Sequence, residues 1–242
     1  MYIILAGVVV LFLFLLFKLF KAGFFETTDI AVVETPIFLG KTVEVFYKYY
    51  VGSYSNVSKY INEVRSILPK ESRVIAIYYD DSNKVDDDLC QAAVGCIYSV
   101  DGKEEIEPNF VSQLSRWGYE RMIIHKFGRS IQMKQQYDGF FSNLRLVRRS
   151  YPQLAQFIQD HKFETSLNVE VYQNNEVVVL SPLDDVKELV VPEYVETDEL
   201  IQRQLQAHAE NFNDDSDSDD DDEEDDDESD AGTGNQDETS YA

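Results

Sequence analysis

The chain has 242 residues, with 45 Asp and Glu against 21 Lys and Arg, a net charge of −24. Sixteen of those acids, and no Lys or Arg, lie from Asn213 to the end, which leaves a mildly acidic remainder of 29 acids against 21 bases. No nucleic-acid partner is expected, because a phosphate backbone needs a basic patch. Two cysteines, Cys90 and Cys96, do not make a disulfide framework, so a reducing compartment is the default.

The N-terminal residues 2–17 carry no charged or strongly polar side chain, and Leu19 and Phe20 extend the run past Lys18. About 20 apolar residues span a bilayer core, and Lys18 can snorkel towards the headgroups. The alternative is a cleaved signal peptide. No basic residue precedes the run, however, and no small-x-small cleavage site follows it. Lys18 and Lys21 sit on the C-terminal side, so the positive-inside rule predicts a single-pass anchor over residues 1–21, with the rest of the chain cytosolic. Residues 22–40 read as a juxtamembrane segment in which 30–33 can form a first strand.

A short sequence then occurs twice. Residues 50–57 (YVGSYSNV) and 137–144 (YDGFFSNL) align without a gap at an offset of 87 and share Tyr, Gly, Ser and Asn. Each copy follows a strand-like run and leads into a helix-like one. Gly52 and Gly139 stand where the strand must turn. Ser55/Asn56 and Ser142/Asn143 are expected to accept amides of the first helical turn. The pattern predicts an internal duplication.

Around the first copy, residues 42–50 read as a strand. Residues 57–68 read as a helix, with Val57, Tyr60, Ile61, Val64, Ile67 and Leu68 on one face. Residues 73–79 form a continuously apolar central strand, 80–88 an acidic loop and 89–98 a further strand. A link over 100–120 holds a short helix, 109–116, beside Trp117. Strands at 121–124 and 130–137 precede a helix running from Phe141 to Ile158, with a kink or break expected at Pro152. Strands 169–172 and 176–180 flank Asn174-Asn175, a hairpin turn. The fold class is therefore α+β, two βαββ units over residues 41–195. Residues 196–212 read as a linker with a weak amphipathic helix, and 213–242 as a disordered acidic tail.

Two βαββ units with Gly-x-aromatic-Ser-Asn at the strand–helix turn resemble the gyrase-inhibitor-like (GyrI-like) fold. Within it the chain resembles the testis-expressed endoplasmic-reticulum-phagy receptor family. The carrying stretches are 74–80 (VIAIYYD), Cys90 with 93–95 (AVG), Arg148-Arg149, Tyr151-Pro152, 169–172 (VEVY) and 181–183 (SPL). The resemblance implies an antiparallel sheet with both helices on one face and a ligand groove on the other, near a pseudo-twofold axis. It further implies an endoplasmic-reticulum membrane protein acting in reticulophagy, the selective autophagy of that membrane. Its partners would be ubiquitin-like proteins of the autophagosome and a AAA-type unfolding ATPase. Family members reach those ubiquitin-like proteins through a tail motif: an aromatic, two residues, then Leu, Ile or Val, beside acids. Here the tail aromatics are Phe212, followed by Asn-Asp-Asp, and Tyr241, and neither fits. The matches at 54–57, 141–144 and 151–154 all fall in predicted helices.

Glu170 matches the glutamate of the family's Glu-aliphatic-Tyr strand, which the resemblance places in the groove, with Tyr172, Tyr78 and Trp117 able to line it. Glu170 alternatively faces solvent, and the aromatics pack the sheet. A second function class follows: a membrane-tethered small-molecule binder, or a hydrolase using Glu170. No catalytic triad order, phosphate loop or nucleophile elbow is visible, so no catalytic residue or cofactor is assigned and the chain reads as non-enzymatic. The histidines His125, His161 and His208 lack zinc-ligand spacing, and Cys90 and Cys96 read as buried structural thiols. Ser216 and Ser218 each have Asp three residues on, a setting for acidophilic phosphorylation.

Overall fold

A computed structural model of the chain describes residues 2–126 and 128–214. Contacts divide the chain after Leu200, and the first unit holds every strand described below. The apolar run forms α1 (Tyr2–Lys21), a 20-residue helix with no buried residue and a composition able to cross a membrane. The chain then gives β1 (Asp29–Val33), β2 (Val43–Val51), α2 (Val57–Ile67), β3 (Val74–Tyr78), β4 (Gln91–Val100) and the short β5 (Lys103–Glu104). There follow α3 (Pro108–Arg116), β6 (Glu120–Ile124), β7 (Ser130–Gln136), α4 (Phe140–Arg145), α5 (Tyr151–His161), β8 (Asn168–Gln173) and β9 (Glu176–Pro182). The last helix, α6 (Thr197–Asp214), passes out of the first unit.

All pairings are antiparallel, in the order β1-β7-β9-β8-β3-β4-β2-β6, with β5 beside β4. Each half contributes three strands in the same relation, β2-β4-β3 and β7-β9-β8, and the halves meet where β3 pairs β8. This is the expected duplicated βαββ architecture. The duplication extends to the backbone: Gly52 and Gly139 adopt nearly the same left-side conformation, φ +134° and +132°. The Asn174-Asn175 turn has φ of +49° and +61°, as a two-residue hairpin with native strand twist requires.

Alternation along the strands divides the core in two. On one face Val74, Ala76, Val94, Met133, Tyr172 and Val179 pack with Ile61 and Val64 of α2, Leu114 of α3 and Leu154 of α5. On the other face Ile75, Ile77, Val169, Val171 and Leu180 are covered by irregular chain, through Leu39 before β2 and Leu189 and Val191 after β9. A sheet buried on both faces explains why residues 74–77 are continuously apolar.

Several details differ from the sequence reading. The strand expected at 30–33 forms as β1, but it pairs β7 from Asp29↔Lys134 to Val33↔Ser130, so the sheet already begins inside the stretch read as juxtamembrane. The helical segment expected to be irregular at Pro152 is interrupted just before it. One π-helical turn (Leu146–Ser150) precedes Pro152, which then sits in the first turn of α5, where its missing N–H costs little. Ser55 and Asn56 are already inside a 3-10 turn (Tyr54–Asn56), whose cap is Ser53. Ser142 bonds back to Asp138 (2.6 Å to Oδ1), not forward to helix amides. Helix α6 runs through Asp214, so helix reaches two residues into the predicted tail; residues 215–242 lie outside the described residues.

Alanine at either repeat glycine is expected to cost about 1–3 kcal/mol, the usual penalty for a side chain in a sparsely populated backbone region. Gly52→Ala is expected to cost more than Gly139→Ala. Its Cβ would lie 2.6 Å from Tyr50 Oη, whereas nothing lies within 4 Å at Gly139. Urea unfolding of the two variants checks both the size and the order.

Candidate functional site

The centre of the sheet carries one charged side chain. In the β3–β8 pair Glu170 stands opposite Ala76, and on its other side opposite Val179 of β9. Both neighbours belong to the helix-side core, so Glu170 points towards the helices. It is 3% exposed. Three tyrosines donate to it: Tyr151 to Oε1 at 2.6 Å, and Tyr172 and Tyr78 to Oε2 at 2.6 and 2.8 Å. The two 2.6 Å lengths lie in the range of charge-assisted O–H···O⁻ bonds, and the 2.8 Å one is an ordinary O–H···O length. Tyr54 stands edge-on to Tyr78 at 4.8 Å, Tyr137 edge-on to Tyr172 at 4.9 Å, and the Arg65 guanidinium lies 5.5 Å over Tyr172.

Each donor reaches the carboxylate by a different route. Tyr172 lies two residues along the same strand, on the same face. Tyr78 is its counterpart in the first half, because residues 75–78 align with 169–172 at an offset of 94. Tyr151 descends from the helix, at the junction of the π turn and α5. Burial raises the Glu170 pKa above its ordinary value of 4.5, and the three hydroxyls oppose that shift by favouring the ionised form. Burial and the Glu170 charge hold all three tyrosines well above the usual phenol range, so they remain donors. Among the described residues no lysine or arginine forms an ion pair with Glu170, and neutral hydroxyls alone solvate it.

The residues expected in a groove away from the helices lie on the helix side of the sheet. Glu170, Tyr78 and Tyr172 do come together, on the helix face and with one another as partners. The opposite face at the dyad is covered by the chain around Leu39 and Leu189. Trp117 is not part of the cluster; it follows α3 and is 53% exposed. Tyr151 is the site residue that sequence reasoning did not assign. The one local signal was an aromatic before a helical proline, and its meaning depends on the π turn that aims it. A cleft of about 520 Å3 opens elsewhere, between the chain before β2 and the β8–β9 end of the sheet. Phe38, Lys41, Arg73, Lys103, Lys134 and Glu176 are among its lining residues. Arg73 is fixed there by Glu105 at 3.2 Å and by Gln173 at 3.1 Å.

The three aromatic-x-x-aliphatic matches are all folded into structure. The Tyr54 hydroxyl accepts from the Asp80 amide and directs its one proton between the carbonyls of Asp80 and Gln91, Phe141 is in the first turn of α4, and Tyr151 is held by Glu170. Both cysteines are buried and free. Burial pushes the Cys96 thiol up to about 12, and burial with Asp80 and Asp87 nearby pushes Cys90 up to about 11. Ser216 and Ser218 lie outside the described residues.

No family model matches the chain. Testis-expressed protein 264 of Homo sapiens is 28% identical over 177 residues, which are 73% of this chain and 55% of the relative. The Mus musculus homolog is also 28% identical over 177 residues, covering 73% and 56%. The chain spans about half the length of the curated relatives it matches. Among solved structures, the EcmrR C-terminal domain covers 66% of this chain and 99% of its own at 16% identity and a TM-score of 0.41. An uncharacterized conserved protein from Listeria innocua covers 69% and 98% at 8% identity and a TM-score of 0.40.

Removing a donor strands buried charge density. Tyr151→Phe is expected to cost about 1–3 kcal/mol in urea unfolding. Because the folded Glu170 pKa is raised, the stability it contributes is fully present below its ordinary 4.5 and is lost as pH rises through the folded value. Glu170→Gln removes that titration, so its cost relative to the parent protein is expected to shrink as pH increases across this window. Iodoacetamide is expected to leave both thiols unmodified at pH 7.5 until the protein is unfolded, as intact-mass measurement would show.

Proposed function

We propose that the chain is an endoplasmic-reticulum-anchored adaptor for selective autophagy of the reticulum, acting by protein contact and not by catalysis. Support comes from an apolar helix of spanning length joined to a folded sheet, and from curated relatives carrying the testis-expressed name. The observation that carries the choice between classes is the saturation of Glu170. Its two oxygens already accept three hydroxyl protons from the protein's own tyrosines. A hydrolase needs its carboxylate directed at water or substrate, and a cation binder needs it reachable. Here a ligand would first have to turn aside two strand tyrosines and one helix tyrosine.

The aromatic-x-x-aliphatic segments of the folded unit are locked in helices, so they cannot add as strands to a ubiquitin-like protein. On this reading autophagosome proteins and the AAA-type ATPase are met through a second protein in the same assembly. The chain is then expected to co-isolate with the ubiquitin-like proteins from solubilised reticulum membranes of starved cells, while the purified chain does not bind them. Absence of co-isolation from those membranes would remove the receptor role. A thermal-shift screen of organic cations is expected to find none that raises Tm; one whose effect vanishes in Glu170→Gln would establish the ligand-binding class instead.

A further inference from the structure

The end of α1 is not a free tether. It closes in a Schellman motif: Gly23, at φ +69°, donates to Phe20 O at 2.9 Å and Phe24 donates to Leu19 O at 3.1 Å. The folded unit grips this terminus. Arg145, 5% exposed, donates from Nη1 to Ala22 O at 3.4 Å, which sets a buried cation at the negative end of the helix. The bare Cα of Gly23 makes room for it, since a Cβ there would stand 2.5 Å from the same nitrogen. The Arg149 guanidinium lies 5.7 Å over the Phe24 ring. A cavity of about 100 Å3 is shared by Lys18, Lys21 and Ala22 with Asp138, Gly139, Phe140 and Phe141.

Those contacts fix residues 138–149 beside the helix exit. At 1.5 Å per residue α1 is about 30 Å long, the thickness of a bilayer core, so its exit lies at headgroup level. The surface held there differs from the rest of an acidic protein. Phe25, Phe140 and Val147 are 58%, 74% and 55% exposed. Lys18, Lys21, Arg148 and Arg149 stand within a few residues of them, against the acids Glu26 and Asp138. Exposed aromatics beside basic residues are the composition of a membrane interface.

We propose that this strip docks on the headgroup layer of the bilayer that α1 crosses, with Phe140 and Val147 entering it and Arg148 and Arg149 meeting anionic headgroups. The proposal rests on the reading of α1 as a spanning anchor. The folded unit is thereby held against the membrane in one orientation, with the β3–β4 end of the sheet directed away.

The full chain, reconstituted in phosphatidylcholine–phosphatidylserine vesicles, is labelled with an environment-sensitive fluorophore at Phe140→Cys, at Val147→Cys, or at Lys84→Cys in the β3–β4 loop. The native thiols are buried and do not compete. A quencher carried on shallow lipid positions is expected to quench the first two labels several-fold more than the third, and the excess is expected to fall in Arg148→Glu/Arg149→Glu. Equal quenching at all three sites, in protein that resists carbonate extraction, overturns the docking and leaves the anchor intact. Extraction by carbonate overturns the anchor and the docking with it.

Discussion

The pairing of β3 with β8 is the constraint on which the molecule depends. It joins two halves that are each three strands wide and makes one sheet of them. It also places Ala76 and Glu170, counterparts in the duplicated sequence, directly opposite one another at the pseudo-twofold. Two copies of the same small residue there would form an apolar seam. One copy is a carboxylate, and a lone charge in a sheet centre must be solvated by the protein or must drive the strands apart. Three tyrosine hydroxyls supply that solvation.

The solution uses the duplication and then departs from it. Tyr78 and Tyr172 are symmetry counterparts converging on one oxygen, so the inherited repeat provides two donors. The third comes from asymmetry. Between the repeated Gly-x-aromatic-Ser-Asn turns and the paired strands the offset grows from 87 to 94, so the second half carries seven extra residues. They lengthen the helical segment into α4, a π turn and α5, and Tyr151 stands where the π turn ends. The same segment buries Ser150, whose hydroxyl donates to Gln135 Oε1 at 2.6 Å and lies 3.1 Å from Thr28 Oγ1. The insertion thus also secures β1 and the anchor side of the sheet.

Much of this was legible in the residues. The repeat predicted two βαββ halves, the continuously apolar run at 73–79 predicted a central strand, and Asn174-Asn175 predicted its hairpin. Each is a local rule that tertiary packing had no reason to override. What the sequence did not carry was the face on which Glu170 lies. Period-2 alternation says that Glu170 and Tyr172 share a face, but in a sheet buried on both sides neither face is marked as polar. The outer cover, formed by irregular chain near Leu39 and Leu189, has no periodicity to announce it.

The same lengthened helix connects the two ends of the functional argument. Tyr151 points from it into the sheet, and six residues earlier Arg145 points from it to the Ala22 carbonyl just past α1. The carboxylate at the dyad and the carbonyl end of α1 are both met from one helical segment that is longer than its counterpart in the first half. Arg145 and the bare Cα of Gly23 thus fit the end of α1 to the folded unit. The asymmetry of the duplication, not the duplication itself, is thus what ties the apolar helix α1 to the sheet.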